Sequence, residues 1–364
     1  MKDKNSQKVK VLLVATSMRE IGGQSIQAKR LLDAFEKDAG IELDFLPNNP
    51  EAPFRSIKYL RTIFVSLRFW WLLLTRVYKF DVILVSSAAM TGYLISTLPP
   101  LLAAKIYARK VILNYHSGEL EKHIRRWRRT ALPTMRKFDE IIVPSQFLVD
   151  VFAKYGLPAK AVFNFVDTAK FEFRERETFR PVFLSNRNFE AHYQVSDILR
   201  AFQIIQKRFA NAALFVAGFG REETRLKRLA ADLKLENVEF VGKVSNDEMA
   251  RLYEKTDIYL NSSVVDNMPL SFIEAFSSGL PIVSYATGGI PYLVENNETG
   301  LLVEPKNFES LGQKAIFLLE NQEFAKKIVA KARREVVKYS WENVRSGWLE
   351  SFTELAGKSL PQTQ

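Results

Sequence analysis

The chain has 364 residues, an apolar share of 47%, no cysteine and three histidines. This length predicts two or three domains with ample core, and the composition excludes disulfides, iron–sulfur clusters and thiolate metal sites and disfavours a zinc site built from several histidines. The net charge of +11 lies entirely in residues 1–168, with 26 Lys+Arg against 15 Asp+Glu, and favours an anionic partner of that half: a membrane surface, a phosphorylated acceptor or a nucleic acid.

The first predicted element is a buried parallel strand. Val9–Thr16 is a near-continuous apolar run, as such strands require; its apolar core is too short for a secretory signal, so we expect a cytoplasmic protein. Gly22 and Gly23 follow, and Ser25–Phe35 has helical apolar spacing. Strand, glycine loop and helix can bring backbone N–H groups close to a phosphate, although ordinary strand–helix turns also carry glycines.

Residues 54–80 form the most distinctive segment of the first half. Its cations fall within one arc of a helical wheel at about 100° per residue, beside a body rich in aromatic residues and leucine. The cations are Arg55, Lys58, Arg61, Arg68, Arg76 and Lys79. Two interpretations stay open: a helix that lies on an anionic membrane, or a core helix whose arginines are solvated. In the first, the membrane or acceptor contacts are Arg61, Arg68, Trp70, Trp71 and Arg76.

The uncharged run Val82–Ala104 is long enough to suggest a membrane span. We reject that interpretation, because the run contains several Ser and Thr residues, a glycine and two prolines and divides into a strand, Asp81–Val85, and a helix from about Ala89. The next strand, Lys110–Tyr115, ends at His116. A lone histidine is usually structural, but the end of a strand in a doubly wound sheet is where ligands bind.

The second half repeats the alternation of strands and helices. Residues 170–180 are strongly charged and are interpreted as a linker. The predicted strands are 182–185, 212–217, 238–241 and 257–261, and the predicted helices are 197–209, 222–233 and 247–255. Alternation with short loops indicates a second parallel sheet.

The stretch Asp266–Glu274 follows the last of these strands. Pro269 suits the first turn of a helix, because its missing N–H has no partner there, and Gly279 suits the left-handed residue that ends one. The aspartate would then lie in the entry loop, where free N–H groups and the helix dipole favour an anion. An ordinary strand–helix unit with solvated acids fits the same residues.

The wider pattern resembles the retaining glycosyltransferases of family GT4. It comprises Asp266-x7-Glu274, Gly279–Val283, Thr287–Pro291 and Glu298–Pro305; the family's motif is Glu-x7-Glu. The resemblance implies an α/β fold of the GT-B type, with two Rossmann-like doubly wound domains facing a central cleft. It implies an acceptor domain over residues 1–168, onto which residues 339–364 pack, and a nucleotide-sugar donor domain over residues 169–338.

The resemblance also assigns roles to residues. The implied catalytic residues are His116, Arg187 and Asp266. The implied donor-binding residues are Gly22, Gly23, Arg187, His192, Gly218, Lys243, Val244, Asn267, Met268, Pro269, Leu270 and Glu274. Arg187 would bind the donor phosphates, Glu274 the ribose hydroxyls, and Asp266 the sugar. His192 stands where the family has a phosphate-binding lysine; a protonated His192 or the nearby hydroxyl of Tyr193 could take its place.

The implied reaction moves a hexose-type sugar, with retention, from a nucleotide sugar to a lipid-linked or cell-envelope glycan acceptor. We expect no cofactor and no metal, because the chain has no Asp-x-Asp triplet. We expect peripheral contact with the inner face of an anionic membrane and, since no known motif occurs, no nucleic acid. A GT-B sugar-nucleotide epimerase and an inactive GT-B subunit that binds a partner remain alternatives.

Overall fold

The computed structural model describes residues 8–18, 23–51, 58–87, 89–168 and 170–359. The chain divides into two compact units. The first ends at Asn164 and resumes at Val344, and the second runs from Phe165 to Asn343. Each unit is built on its own parallel sheet covered by helices, so the predicted α/β fold with two Rossmann-like sheets is confirmed.

In the first unit, strands and helices alternate. The strands are β1 (Val9–Ala15), β2 (Ile41–Pro47), β3 (Val82–Ser87), β4 (Lys110–Tyr115), β5 (Glu140–Val143) and β6 (Lys160–Ala161). The helices are α1 (Gly23–Phe35), α2 (Lys58–Arg76), α3 (Thr91–Ile106), α4 (Leu120–Arg126), α5 (Arg128–Met135) and α6 (Gln146–Ala153).

In the second unit, the alternation continues. The strands are β7 (Val182–Asn186), β8 (Ala213–Ala217), β9 (Val238–Gly242), β10 (Ile258–Asn261), β11 (Ile282–Tyr285) and β12 (Leu301–Val303). The helices are α7 (Val195–Arg208), α8 (Glu223–Asp232), α9 (Asn246–Lys255), α10 (Leu270–Ser277), α11 (Ile290–Leu293), α12 (Phe308–Glu320), α13 (Gln322–Val336) and α14 (Trp341–Ala356), the last of which passes into the first unit at Val344.

The first sheet has the strand order β2-β1-β3-β4-β5-β6, with every paired strand parallel. Helices cover both faces, so β3 is buried along its whole length and its sequence is an unbroken run without charge. The uncharged segment that could have suggested a membrane span is therefore this strand followed by α3, as predicted, with Pro99 and Pro100 inside the helix. Among the described residues, no helix is both long and apolar enough to cross a bilayer.

The C-terminal end of α14 is tied to the first sheet by polar contacts. The Nζ atom of Lys160 lies 2.8 Å from Oε2 of Glu350, and Ser351 donates a hydrogen bond to Glu140 at 3.0 Å. Gly347 faces Val162 so closely that an added Cβ would lie 3.3 Å from it. The last helix thus completes the first unit, although almost the whole second unit separates it in sequence.

The second sheet has the order β12-β11-β10-β7-β8-β9, again with paired strands parallel. The chain runs outward from β7 through β8 to β9 and then returns to place β10 on the other side of β7. In an open parallel sheet, ligands bind where the strand order reverses in this way, beyond the carboxyl ends of the strands. The loops after β7 and β10 therefore mark the place to look for a site.

The interpretation of residues 170–180 as a linker is wrong. The side chain of Arg176 is completely buried. Its guanidinium, with those of Arg174 and Arg180, surrounds the buried carboxylate of Asp257 at N–O distances of 2.7–3.0 Å. Phe179 is buried as well. The charges that suggested a solvated linker instead fasten this segment to the second unit, because they face a carboxylate that lies about 80 residues further along the chain.

Candidate active site

The carboxyl ends of β7 and β10 bring two predicted site residues together. Arg187 follows β7 directly, Asp266 lies in the loop that leaves β10, and their Nη2 and Oδ2 atoms are 2.8 Å apart. Both side chains are nearly buried, with 12% and 13% of their surface exposed. The solvated aspartate that an ordinary strand–helix unit would have had is excluded, because Asp266 is half of an ion pair at the point where the strand order reverses.

The other contacts of Arg187 hold its guanidinium in place. Its Nε donates to Oδ1 of Asn261, the last residue of β10, at 3.0 Å, and its Cζ lies 5.4 Å from the ring centre of Tyr193 and 5.8 Å from that of Phe272. Burial disfavours the charged guanidinium, but the Asp266 carboxylate beside it raises the pKa of Arg187 above its ordinary value. The site therefore carries a fixed, permanently charged cation.

Two glycines allow the loop between β11 and α11 to pack directly against the backbone of Asp266 and Asn267. A Cβ on Gly288 would lie 2.1 Å from the carbonyl oxygen of Asp266, and one on Gly289 would lie 2.0 Å from that of Asn267. The N–H of Gly289 also donates to the Asp266 carbonyl at 3.1 Å. Only residues without a Cβ permit this approach, which gives a physical reason for the Gly288-Gly289 pair in the motif.

Helix α10 begins at Leu270, immediately after Pro269. Pro269 is its N-cap and not its first helical residue; its fixed φ near −67° still fits the entry. At the other end Gly279 has φ +76°, and the N–H groups of Gly279 and Leu280 donate to the carbonyls of Phe276 and Ala275 at 3.2 and 2.9 Å. This is the predicted glycine termination.

Glu274 lies inside α10 and is buried, so it is not a surface charge. The hydroxyl of Tyr253, on α9, lies 3.2 Å from its Oε2. Between Asp266 and Glu274, Asn267 and Met268 are also buried, whereas Leu270, the first residue of the helix, is half-exposed.

The loop after β8, which contains the predicted donor-binding residue Gly218, needs glycines because it packs directly against the loop after β7. A Cβ on Gly218 would lie 2.1 Å from the carbonyl oxygen of Arg187, and one on Gly220 would lie 2.6 Å from that of Phe189. These glycines let the loop after β8 touch the loop after β7, which positions the backbone of Arg187. Lys243 and Val244 follow β9; Lys243 is exposed, with its Nζ 5.8 Å from the ring centre of Phe219.

His192 lies near the arginine but on the surface. It belongs to a 3-10 turn, Ala191–Tyr193, and its exposed ring lies 4.1 Å from that of Tyr193, measured between centres. It is Tyr193 whose ring contacts the guanidinium of Arg187. Of the two residues that the sequence offered in place of the family's lysine, Tyr193 is the one whose ring reaches the predicted phosphate-binding arginine.

In the first unit, His116 follows β4 at the carboxyl edge of its sheet, as predicted. Burial of its ring lowers the pKa of His116 to about 4, so the imidazole is neutral at physiological pH. Gly22 lies outside the described residues. Gly23 is the first residue of α1 and therefore not part of a loop.

Helix α2 follows neither of the two interpretations in full. Phe69 and Leu73 are buried against the sheet, but Arg61, Arg68 and Trp71 are exposed. Trp70 is half-buried, and Arg76 forms an ion pair with Asp44 of β2, so the basic arc is partly neutralised. Arg55 lies outside the described residues.

Apolar side chains on α2 and the neighbouring α3 are exposed in unusual number. Tyr107, just after α3, donates to the carbonyl of Leu74 on α2 at 2.7 Å, so the helices lie side by side. We define the α2–α3 apolar face as Leu60, Ile63, Phe64, Leu67, Trp71 and Leu74 with Ile95, Leu98, Leu102 and Ile106, each at least 38% exposed. The sequence pointed to this face only through Trp71, because it gives no sign of which leucines turn outward.

Sequence reasoning missed the side chains that hold Glu274 and Arg187. Tyr253 lies on α9, whereas Tyr259 and Asn261 lie on β10, and none of the three belongs to a short motif. In addition, no group of three or more His, Cys, Asp or Glu residues in the described part of the chain could hold a metal ion.

Two protein-family models match the chain in adjoining segments. The model described as glycosyl transferases group 1 matches residues 167–335, and the model described as glycosyltransferase family 4 matches residues 21–170. Together they cover most of the chain.

Curated relatives match over part of their length. An uncharacterised glycosyltransferase of Haemophilus influenzae is 32% identical over 153 residues, which are 42% of this chain and 43% of the relative. The N-acetyl-alpha-D-glucosaminyl L-malate synthase of Bacillus anthracis is 27% identical over 187 residues, 49% of this chain and 48% of the relative. The match thus spans less than half the length of these relatives.

Solved structures share the fold over nearly the whole chain. HepE of Anabaena, in complex with UDP-glucose, superimposes with a TM-score of 0.75 at 16% identity, covering 95% of this chain and 99% of that one. Sucrose-phosphate synthase from Thermosynechococcus elongatus gives a TM-score of 0.77 at 17% identity, covering 96% and 100%. At these identities the likeness shows the fold.

Proposed function

Because the chain belongs to the group 1 glycosyltransferases of family 4, we propose that it transfers a hexose-type sugar from a nucleotide-sugar donor to an acceptor, with retention at the anomeric carbon. The observation that carries this proposal is the grouping of Arg187, Asp266 and Glu274 at the carboxyl edge of the second sheet. Glycan or lipid-linked acceptors fit best, since relatives with assigned names include a poly(glycerol-phosphate) alpha-glucosyltransferase and a mannosyltransferase named for a phosphatidylinositol mannoside.

Each residue has a distinct task in this proposal. Arg187 binds the donor diphosphate with its planar fork and stabilises the negative charge that develops on it as the bond to the sugar breaks. Glu274 accepts hydrogen bonds from the ribose hydroxyls. Asp266, with the backbone around Asn267 and Leu270, holds the sugar. When the diphosphate enters, Arg187 exchanges part of its contact with Asp266 for the phosphate and releases the carboxylate toward the sugar.

A donor screen tests the proposal. Thermal shift against UDP-, GDP-, ADP- and TDP-sugars should identify one nucleotide class that raises the melting temperature, because a ligand that binds only the folded state stabilises it. Turnover is then followed with that donor, and the anomeric configuration of the product is read by NMR. Hydrolysis or epimerisation of the donor without any acceptor would favour an epimerase, and binding without turnover would favour an inactive subunit.

We expect turnover to proceed without a divalent metal. The diphosphate charge is met in this proposal by Arg187 and by backbone N–H groups at helix entries, and the sequence has no Asp-x-Asp triplet. Initial rates should therefore be the same in excess EDTA and in magnesium or manganese. Activity lost in EDTA and restored by either metal would contradict this expectation.

We further propose that the α2–α3 apolar face lies on an anionic membrane. Six of its ten residues fall on α2 at relative positions 0, 3, 4, 7, 11 and 14, which places them on one side of the helix. Arg61, Arg68 and Lys79 are exposed nearby. An apolar stripe flanked by cations is the composition of a helix that lies in a membrane interface, and each basic residue near an anionic surface adds about 1 kcal/mol.

Sedimentation with lipid vesicles tests this surface. The wild type should sediment with vesicles that contain phosphatidylglycerol, bind less to pure phosphatidylcholine and lose binding as salt rises. Leu67→Glu with Trp71→Glu should abolish sedimentation, and Arg61→Gln with Arg68→Gln should weaken it. Phe317→Glu, which places a charge on an exposed apolar residue of the second unit, is the control. Equal recovery in the supernatant with both lipids would leave a water-soluble acceptor as the better proposal.

A further inference from the structure

Beneath the candidate site, a chain of side-chain hydrogen bonds joins the β7 loop to Glu274. Asn186, the last residue of β7, lies next to Arg187. Its Nδ2 donates to the hydroxyl oxygen of Tyr253 at 3.0 Å, and its Oδ1 accepts from the hydroxyl of Tyr259 at 2.6 Å. The oxygens of Tyr253 and Glu274 are 3.2 Å apart, and those of Tyr259 and Ser271 are 3.0 Å apart.

These contacts have one consistent direction. Tyr259 donates its hydroxyl proton to the side-chain amide oxygen of Asn186. Because a phenol has only one proton, the hydroxyl of Ser271 donates to the Tyr259 oxygen. The Asn186 amide donates to the Tyr253 oxygen, so the single Tyr253 proton is directed toward its acceptors. Those are Oε2 of Glu274 and the carbonyl oxygen of Ser271, the latter at 3.0 Å. An ionised carboxylate is the stronger acceptor of the two.

The surroundings leave these groups little freedom. Tyr253 and Tyr259 are fully buried and their rings are stacked, 6.3 Å apart between centres. Phe171 packs edge-on against Tyr253 at 5.6 Å, and the Tyr253 carbonyl accepts from Arg176 at 3.1 Å. Burial, followed by the nearby Glu274 charge, raises the pKa of Tyr253 well above its ordinary value, so its hydroxyl keeps its proton.

We propose that Tyr253 is a positioning residue of the donor site, whose hydroxyl, oriented by Asn186, holds the Glu274 carboxylate in the conformation that receives the ribose hydroxyls. This inference rests on the proposed function, because it takes Glu274 as the ribose acceptor. It adds a specific link: Asn186 adjoins the phosphate-binding arginine, so one hydrogen-bonded chain sets the diphosphate and ribose positions relative to each other.

Tyr253→Phe removes only the hydroxyl and provides the test. Calorimetry is performed on the full chain with the nucleoside diphosphate that wild type binds best among UDP, GDP and ADP, and with its 2′,3′-dideoxy analogue. The variant should bind the ribonucleotide about tenfold more weakly and the dideoxy analogue as well as wild type does. In turnover, the donor KM should rise about tenfold, with kcat within about twofold of wild type.

Tyr285→Phe is the matched control. Tyr285 is another buried phenol of the same unit, and it donates to a carboxylate, that of Asp197, at 2.9 Å, but it lies outside this chain of contacts. Removing the Tyr285 hydroxyl should leave the affinities for the nucleoside diphosphate and for its dideoxy analogue unchanged. A purely structural role for Tyr253 would weaken the ribonucleotide and the dideoxy analogue alike, and unchanged affinities for both would show no role; either result overturns the inference.

The test separates this inference from the function on which it rests. If wild type binds no nucleoside diphosphate, or binds the ribose and dideoxy forms equally, the proposed role of Glu274 fails. If wild type prefers the ribose form and Tyr253→Phe retains that preference in full, only the role of Tyr253 fails.

Discussion

Replacing Arg187 by alanine should lower kcat/KM by about two to three orders of magnitude. Arg187 is the buried cation at the reversal of the strand order, and in the proposed reaction it meets charge that grows on the leaving diphosphate. The loss of one such contact in the transition state costs about 2.7–4 kcal/mol, and each 1.36 kcal/mol is about tenfold in rate. Glu274→Gln, which keeps the shape and removes the charge, should also lose most activity.

Two further variants make this result specific. Arg187→Lys keeps the positive charge without the planar fork, so we expect only partial recovery. Arg200→Ala removes a half-exposed arginine that pairs with Asp197 at 3.3 Å in the same unit and should stay within about twofold of wild type. Because Arg187→Ala leaves Asp266 unpaired, melting temperatures are measured in parallel. Wild-type turnover in both Arg187→Ala and Glu274→Gln would contradict the site.

Replacing Asp257 by alanine should unfold the second unit at a markedly lower temperature. Its buried carboxylate accepts hydrogen bonds from three guanidinium groups, and Arg176, which has no exposed side-chain surface, would keep its charge without it. Removing one partner of a buried ion pair costs about 3–5 kcal/mol, which for a unit of this size is roughly 10 °C in Tm.

Asp232→Ala is the control for Asp257→Ala. Asp232 pairs with Arg228 at 3.9 Å on the exposed surface of α8, and such pairs contribute little, so its Tm should stay within about 2 °C of wild type. Calorimetric scans of both variants make the comparison. If Asp257→Ala unfolded at the same temperature as Asp232→Ala, the arginines of residues 174–180 would be solvated and would not attach this segment to the second unit.

Local patterns predicted most of the helices and strands. A strand buried on both faces is a continuous apolar run, and the residues that begin and end a helix are of characteristic types, so both can be recognised from neighbouring positions in the sequence. The left-handed Gly279 and the strand that ends at His116 are examples. The errors came from residues whose partners are distant in sequence. The charges at 170–180 suggested a linker because their partner, Asp257, is about 80 residues away. Arg76, on α2, was counted as a free cation because its partner, Asp44, lies on the preceding strand, β2.

The composition of the site was predicted in part. The resemblance to family GT4 pointed to Arg187, Asp266 and Glu274, but not to the ion pair between the first two, which depends on the order of strands in the sheet. The sequence could not identify Asn186, Tyr253 and Tyr259 as site residues, since a tyrosine within an apolar pattern is as consistent with a core position as with a site. On α2, periodicity identified the helix and its basic residues, and the membrane interpretation included Trp71, but the outward direction of Leu67 was not foreseen.

The central claim is that the carboxyl edge of the second sheet binds a nucleotide sugar through Arg187. Isothermal titration of the full chain with UDP-, GDP- and ADP-glucose, repeated on Arg187→Ala and Arg200→Ala, tests it most directly. We predict saturable binding of one nucleotide class at a single site, lost in Arg187→Ala and kept in Arg200→Ala. Binding of equal strength in Arg187→Ala and wild type would contradict the claim.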